Sequence, residues 1–132
     1  MIFLENIKSL VNLALIDGNM AEREKAYIKN IANAHNIPES STETLFYSSH
    51  EIIIPQDLTS DQKFEFVFSL IQLMKIDERL YPNEIKFCAN IIEKLGYRQE
   101  VIAELLLKIG AEPMEPLQKE ELKKITNTFL IS

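Results

Sequence analysis

Residues 10–37, LVNLALIDGNMAEREKAYIKNIANAHNI, align without a gap on residues 70–97, LIQLMKIDERLYPNEIKFCANIIEKLGY, at a constant offset of 60. Seven of the 28 pairs are identical, Leu10/Leu70, Leu13/Leu73, Ile16/Ile76, Asp17/Asp77, Glu24/Glu84, Asn30/Asn90 and Ile31/Ile91. Val11/Ile71, Met20/Leu80, Tyr27/Phe87 and Ile28/Cys88 keep apolar character. Within each copy apolar residues recur three and four apart, the spacing of one helix face, on both sides of a short acidic turn. Asp17-Gly18-Asn19 interrupts the first copy, and Asn36 and Gly96 close the two copies with residues able to take the left-handed conformation that follows many helices. A helical hairpin repeated in this way sets the fold class as all-α, with hairpins 10–37 and 70–97 related by pseudo-twofold symmetry.

The same periodicity extends outward, and strict alternation over six or more residues is absent. The spacing predicts a first helix over Phe3–Ile16 and a second over Glu22–His35, the latter with Ala26, Tyr27, Ile28, Ile31 and Ala32 inward. A third spans Glu39–Ser49 behind Pro38, with Leu45, Phe46 and Thr42 inward. Ile52-Ile53-Ile54-Pro55 is β-prone but has no second strand to pair with, and it reads as a linker between halves. Thr59-Ser60-Asp61-Gln62 forms a Thr-x-x-Gln capping box, in which each side chain satisfies a backbone N–H at a helix start. The helix it opens carries Phe64, Phe66, Val67, Phe68, Leu70, Ile71, Leu73 and Met74, apolar nearly all round and therefore buried on several sides. A fifth helix, Pro82–Leu95, has proline in its first turn and Gly96 beyond its end. A sixth covers Arg98–Ile109. A seventh, Pro116–Leu130, presents Leu117, Leu122, Ile125 and Phe129 to the core, with Lys119, Glu120, Lys123 and Lys124 on a solvated face. The prediction is a single domain, residues 1–132, of about seven helices.

Composition sets the function classes. A chain of 132 residues, 46% hydrophobic and 26% charged, with three glycines and five prolines, has globular composition and room for one domain. Fourteen Lys and Arg against twenty Asp and Glu give a net charge of −6, which opposes nucleic-acid backbones and anionic membrane surfaces. No apolar run approaches the length of a bilayer span, so membrane insertion is not expected. One cysteine makes no internal disulfide, and Met1-Ile2-Phe3-Leu4-Glu5 lacks the basic start of a signal peptide, so the expectation is cytoplasmic.

The repeated acids need a reason, because a core has no use for Asp or Glu. Asp17 and Asp77 fall where the first helix of each hairpin ends, near the negative end of its macrodipole, a placement that costs about 0.3–1 kcal/mol without compensation. In one reading they take over a capping duty that Ala21 and Tyr81 cannot perform, while Glu24 and Glu84, at the third helical position, reach back to the cap N–H. In the other, Asp17, Glu24, Asp77 and Glu84 ligate calcium or another divalent cation, a hard ion that wants several oxygens, with Glu22 and Glu78 as helpers. Neither turn is an EF-hand: Ala21 stands at the fifth position of the first, and Arg79 and Tyr81 at the third and fifth of the second. No other cofactor is expected.

His35 and His50 lack a cysteine or acidic partner at metal-ligand spacing, and Cys88 occupies the Ile28 position of the repeat, a core place for a thiol. Three scattered glycines exclude a phosphate-binding loop. No nucleophile, base and orienting group are jointly apparent, so the chain is not expected to be an enzyme.

Leu13-Ala14-Leu15-Ile16-Asp17-Gly18-Asn19-Met20 with Glu24, and Ile76-Asp77 with Glu84 and Leu95-Gly96, resemble the TerB-like superfamily. This is the tellurite-resistance-associated helical domain, also found fused to membrane-anchored J-domain co-chaperones. Pro55-Gln56-Asp57-Leu58 is similar too. The resemblance covers residues 10–97 and lapses in the last two helices. The small hydroxyl cap usual in the family is Ala21 or Tyr81 here, and the second glycine is Glu78. The resemblance implies a fold of about seven helices in the bacterial cytoplasm or at the inner-membrane periphery, a stress-response role through protein partners and, in some members, calcium binding by acidic residues. It implies no enzymatic activity.

Overall fold

The computed structural model describes residues 2–16, 18, 20–76 and 81–131. They form seven helices, α1 (Ile2–Ala14), α2 (Glu22–Ala34), α3 (Glu39–Leu45), α4 (Ser60–Ile76), α5 (Pro82–Lys94), α6 (Val101–Lys108) and α7 (Pro116–Asn127). The fold is all-α, and among the described residues β pairing is confined to an isolated bridge between Tyr97 and Leu130. The chain divides into two compact units, Met1–Pro55 and Gln56–Ser132, and the boundary lies at the end of the Ile-Ile-Ile-Pro segment.

In the first unit α1 packs on α2 and α3, and α2 packs on α3. Ile7, Leu10, Val11 and Ala14, three and four apart, are the buried face of α1. Asn12 clamps the chain beyond α3: its Nδ2 donates to the His50 carbonyl at 2.7 Å, and its Oδ1 accepts the His50 N–H at 2.8 Å. Glu5 Oε2 accepts the Ile53 N–H at 3.0 Å, so the linker sequence starts against α1. Thr42 and Phe46 are buried as predicted, but α3 stops four residues short of Ser49. Tyr47, Ser48 and Ser49 are exposed and offer no apolar stripe to carry the helix on.

In the second unit α4 packs on α5, α6 and α7. Its start is the predicted reciprocal box: the Thr59 N–H donates to Gln62 Oε1 at 3.0 Å, and the Gln62 N–H donates to Thr59 Oγ1 at 3.1 Å. Every residue from Phe66 to Met74 is buried, including two polar ones. Ser69 donates to the Phe66 carbonyl at 2.9 Å. Gln72 Nε2 donates to the carbonyls of Gly110 and Glu112 at 3.2 and 2.9 Å, pinning the α6–α7 connection to α4. The sixth helix begins at Val101, three residues after its predicted start, because the preceding backbone is engaged elsewhere. Arg98 N–H donates to the Phe129 carbonyl at 2.8 Å, and Ile131 N–H to the Gly96 carbonyl at 2.7 Å.

The repeat is realised to the residue in its second helices. α2 and α5 each have 13 residues, and their ends differ by the same 60 positions as the sequences. Asn36 and Gly96 take positive φ, 61° and 95°. The next N–H groups, of Ile37 and Tyr97, reach back to the carbonyls of Ala32 and Ile92 at 3.0 and 3.2 Å, closing the same C-terminal motif twice.

Three predicted orientations are corrected. Ala26 is exposed, because the buried stripe of α2 runs Glu24, Ile28, Ala32. Leu117 is 76% exposed rather than in the core. Leu122 and Thr126 define the buried line of α7, and five residues at about 100° each place Leu117 some 140° away from Leu122. Nor is the lysine face of α7 simply solvated. Lys119 pairs with Glu65 at 3.1 Å and lies 4.5 Å from the Phe68 ring centroid, and Lys123 pairs with Asp61 at 3.1 Å, all on α4.

Candidate functional site

Asp17 and Asp77 lie outside the described residues, so the two acidic turns are seen through the helices that follow them. Glu24 and Glu84 stand at the third position of α2 and α5, each only 5% exposed. Their burial follows from register, since Glu24 heads the stripe Glu24–Ile28–Ala32 and Glu84 the stripe Glu84–Cys88–Ile92, four residues apart each time. Glu24 Oε1 accepts the Ala21 N–H at 3.0 Å, so the glutamate does at this helix what Gln62 does at the start of α4. Gly18 holds φ at 82° within the first turn, and its N–H donates to the Leu15 carbonyl at 2.9 Å. Glu24 belongs to the first unit and Glu84 to the second. Among the described residues no group of three or more His, Cys, Asp and Glu side chains is placed to hold a metal ion.

The remaining chemistry-bearing side chains have structural surroundings. Cys88 is buried, and its thiol is pushed up to about 12, first by burial and then by the charge of Glu84 one helical turn earlier. Such a thiol stays protonated and is a poor nucleophile. His50 Nε2 stands 2.8 Å from the Leu45 carbonyl, and since a carbonyl only accepts, this nitrogen carries the proton. His35 stacks on Phe3, with ring centroids 3.6 Å apart. Burial also pushes up the Tyr97 phenol, whose hydroxyl has no hydrogen-bond partner among the described residues.

Among the described residues, two of the surface hollows bear on binding. One, of about 430 Å³, opens beside the first hairpin turn between Gly18, Met20, Lys25, Lys29, Phe46 and Tyr47. Lys29 bridges Glu43 at 2.7 Å and Glu39 at 3.4 Å, which holds its ammonium above its ordinary range, and Lys25 meets Glu22 at 3.5 Å. Its lysines are therefore already neutralised by α2 and α3. The other, of about 290 Å³, lies between the end of α6 and α7, walled by Lys108, Met114, Gln118, Glu121, Leu122 and Ile125. Leu107 (82% exposed) and Leu117 stand next in sequence to Lys108 and Gln118, about 100° round each helix from the groove wall.

This groove is not among the sites expected from the sequence, although α6 carries a signal for it. Six of the eight residues of α6 are apolar, more than one buried stripe of Val101, Leu105 and the following Ile109 can use. No helix among the described residues is long and apolar enough to cross a membrane. No family model matches this chain, and no curated protein or solved structure matches it either.

Proposed function

We propose that this chain is a non-enzymatic interaction module of TerB-like kind, a scaffold for protein partners with a part in a bacterial stress response. The observation that carries the reading is the display of large apolar side chains outside closed helical cores, Leu107 and Leu117 beside the α6–α7 groove and Tyr47 (86% exposed) beside the first turn. In this proposal the negative charge of the Asp17 and Asp77 turns is what partners read. Supporting the absence of catalysis, the Cys88 thiol is raised to about 12 and His50 is committed to the Leu45 carbonyl.

Quantitative co-purification from the native cells tests this, comparing the intact chain with a Leu107→Ser, Leu117→Ser, Tyr47→Ser variant of unchanged thermal midpoint. A partner set recovered by the first and lost by the second is expected. Equal recovery by both would overturn the reading.

A second reading is divalent-cation binding by Asp17, Glu24, Asp77 and Glu84. It is favoured by the burial of Glu24 and Glu84 one turn into the helices that follow the acidic turns. Its test is the cation dependence of thermal unfolding.

A further inference from the structure

We infer that the groove between α6 and α7 receives the apolar face of a basic amphipathic helix supplied by a protein partner. The inference rests on the interaction-module reading and assigns it a surface and a class of partner. The apolar part of the groove lining is Met114, Leu122 and Ile125, and the exposed Leu107 and Leu117 are next in sequence to Lys108 and Gln118 of its wall. At about 290 Å³ it is just below the ~300–1,000 Å³ usual for small-molecule pockets and suits one or two inserted side chains. Helix-in-groove recognition uses such anchors at three- and four-residue spacing.

Charge selects the partner's sign. The lysines Lys119 and Lys123 on the far side of α7 are consumed by Glu65 and Asp61 of α4. On the groove side Lys108 is taken by Glu104 at 3.5 Å. Glu121 on the wall, and Glu112 and Glu115 on either side of Met114 in the chain, are exposed and make no ion pair among the described residues. Lys124, one turn after Glu121, likewise makes no ion pair among the described residues, so one unpaired lysine stands in this stretch against three unpaired carboxylates. An apolar lining with an acidic rim complements a helix whose leucine-like face is edged by Lys or Arg.

The probe is a fluorescent peptide of leucine and lysine, about five helical turns long, with leucines on one face. Two controls accompany it, a leucine–glutamate counterpart and a scrambled peptide of the same composition with no apolar face. Anisotropy titration of the full chain is expected to give roughly tenfold tighter binding of the first peptide than of either control. Glu115→Lys with Glu121→Lys should weaken it roughly tenfold, as should Leu107→Ser with Leu117→Ser. Asp57→Lys with Glu93→Lys makes the same change in net charge at exposed positions of the same unit that do not line the groove, and should leave binding within about threefold. Circular dichroism checks that each variant is folded.

Equal weakening by both charge-reversal pairs, or equal binding of the scrambled peptide, would mean diffuse charge attraction and overturn the groove. Self-association of the chain abolished by the leucine substitutions would make a second copy the occupant and likewise overturn the proposal. If co-purified partners survive the Glu115→Lys, Glu121→Lys pair while the peptide does not bind the intact chain, the groove is wrong and the interaction-module reading stands.

Discussion

Glu24 turns its carboxylate back along the chain to the backbone N–H of Ala21, 3.0 Å away, and so caps a helix whose N-cap residue has no side chain to do it. Its counterpart Glu84 occupies the same position of the second hairpin, behind Tyr81, which also makes no side-chain cap bond. Glu24→Ala removes the acceptor from a part-buried cap hydrogen bond and should lower stability by about 1 kcal/mol in urea unfolding. Glu24→Gln keeps an acceptor oxygen, as Gln62 does in the first turn of α4, and should lose about half of that or less.

A different pair of substitutions, Asp17→Asn with Asp77→Asn, separates capping from cation binding. If the carboxylates only cap, calcium, magnesium and manganese leave the thermal midpoint where chelator puts it, for the intact chain and for Asp17→Asn with Asp77→Asn. If the turns ligate a cation, a concentration a hundred times its Kd adds about 2.7 kcal/mol and raises the midpoint by roughly 8–14 °C. The Asp→Asn pair would abolish that rise. Differential scanning calorimetry reads both outcomes.

Thr59 and Gln62 exchange two hydrogen bonds at the start of α4, so their effects should couple. Thr59→Ala should destabilise by about 1 kcal/mol. The double variant Thr59→Ala, Gln62→Ala should cost less than the sum of the single changes, a double-mutant cycle on urea midpoints being the measurement.

Gly96 holds φ at 95°, and a Cβ there would meet Lys63 Nζ at 3.6 Å, an ordinary contact. Gly96→Ala should therefore cost about 1–2 kcal/mol through backbone conformation alone. Asn36 takes φ 61° at the equivalent place, and Asn36→Gly should be neutral or stabilising by up to about 1 kcal/mol. Thermal unfolding of the two variants checks the opposite signs.

Cys88 gives a pH signature. Its thiol is raised from 9.0 to about 12 by burial and by Glu84, so the folded protein holds this proton more tightly than the unfolded chain does. The associated stability is fully present below pH 9 and is lost as pH rises through 12. A thiol reagent at mildly alkaline pH should label the native protein only at the rate of unfolding, and the urea-unfolded chain at once. Glu84→Gln removes the second cause of the shift and should lower the thiol pKa.

Much of the fold is legible because its signals are local. A cap, a proline in a first turn or a left-handed residue acts within a few positions, so Thr59–Gln62, Pro82, Asn36 and Gly96 mark their boundaries correctly. The misplaced boundaries depend on distant partners. Arg98 is kept out of α6 by pairing with Phe129, 31 positions later, which periodicity around Arg98 does not contain. Of the candidate site, the glutamate cap at Ala21 is legible from three-residue spacing, whereas the groove is not, because its walls come from two helices and the connection between them.

The sequence by itself determined that this chain is a set of helices built around a repeated hairpin, and it determined where α2 and α5 begin and, to within one residue, where they end. Those properties are written in 3.6-residue periodicity and in turn chemistry, which need no neighbour. Only the tertiary structure decided that Glu24 and Glu84 are buried, that Lys119 and Lys123 are spent on α4, and that Leu117 faces out beside a groove. A helix fixes the angles between its own side chains, but which angle points to the core is settled by the elements that pack against it.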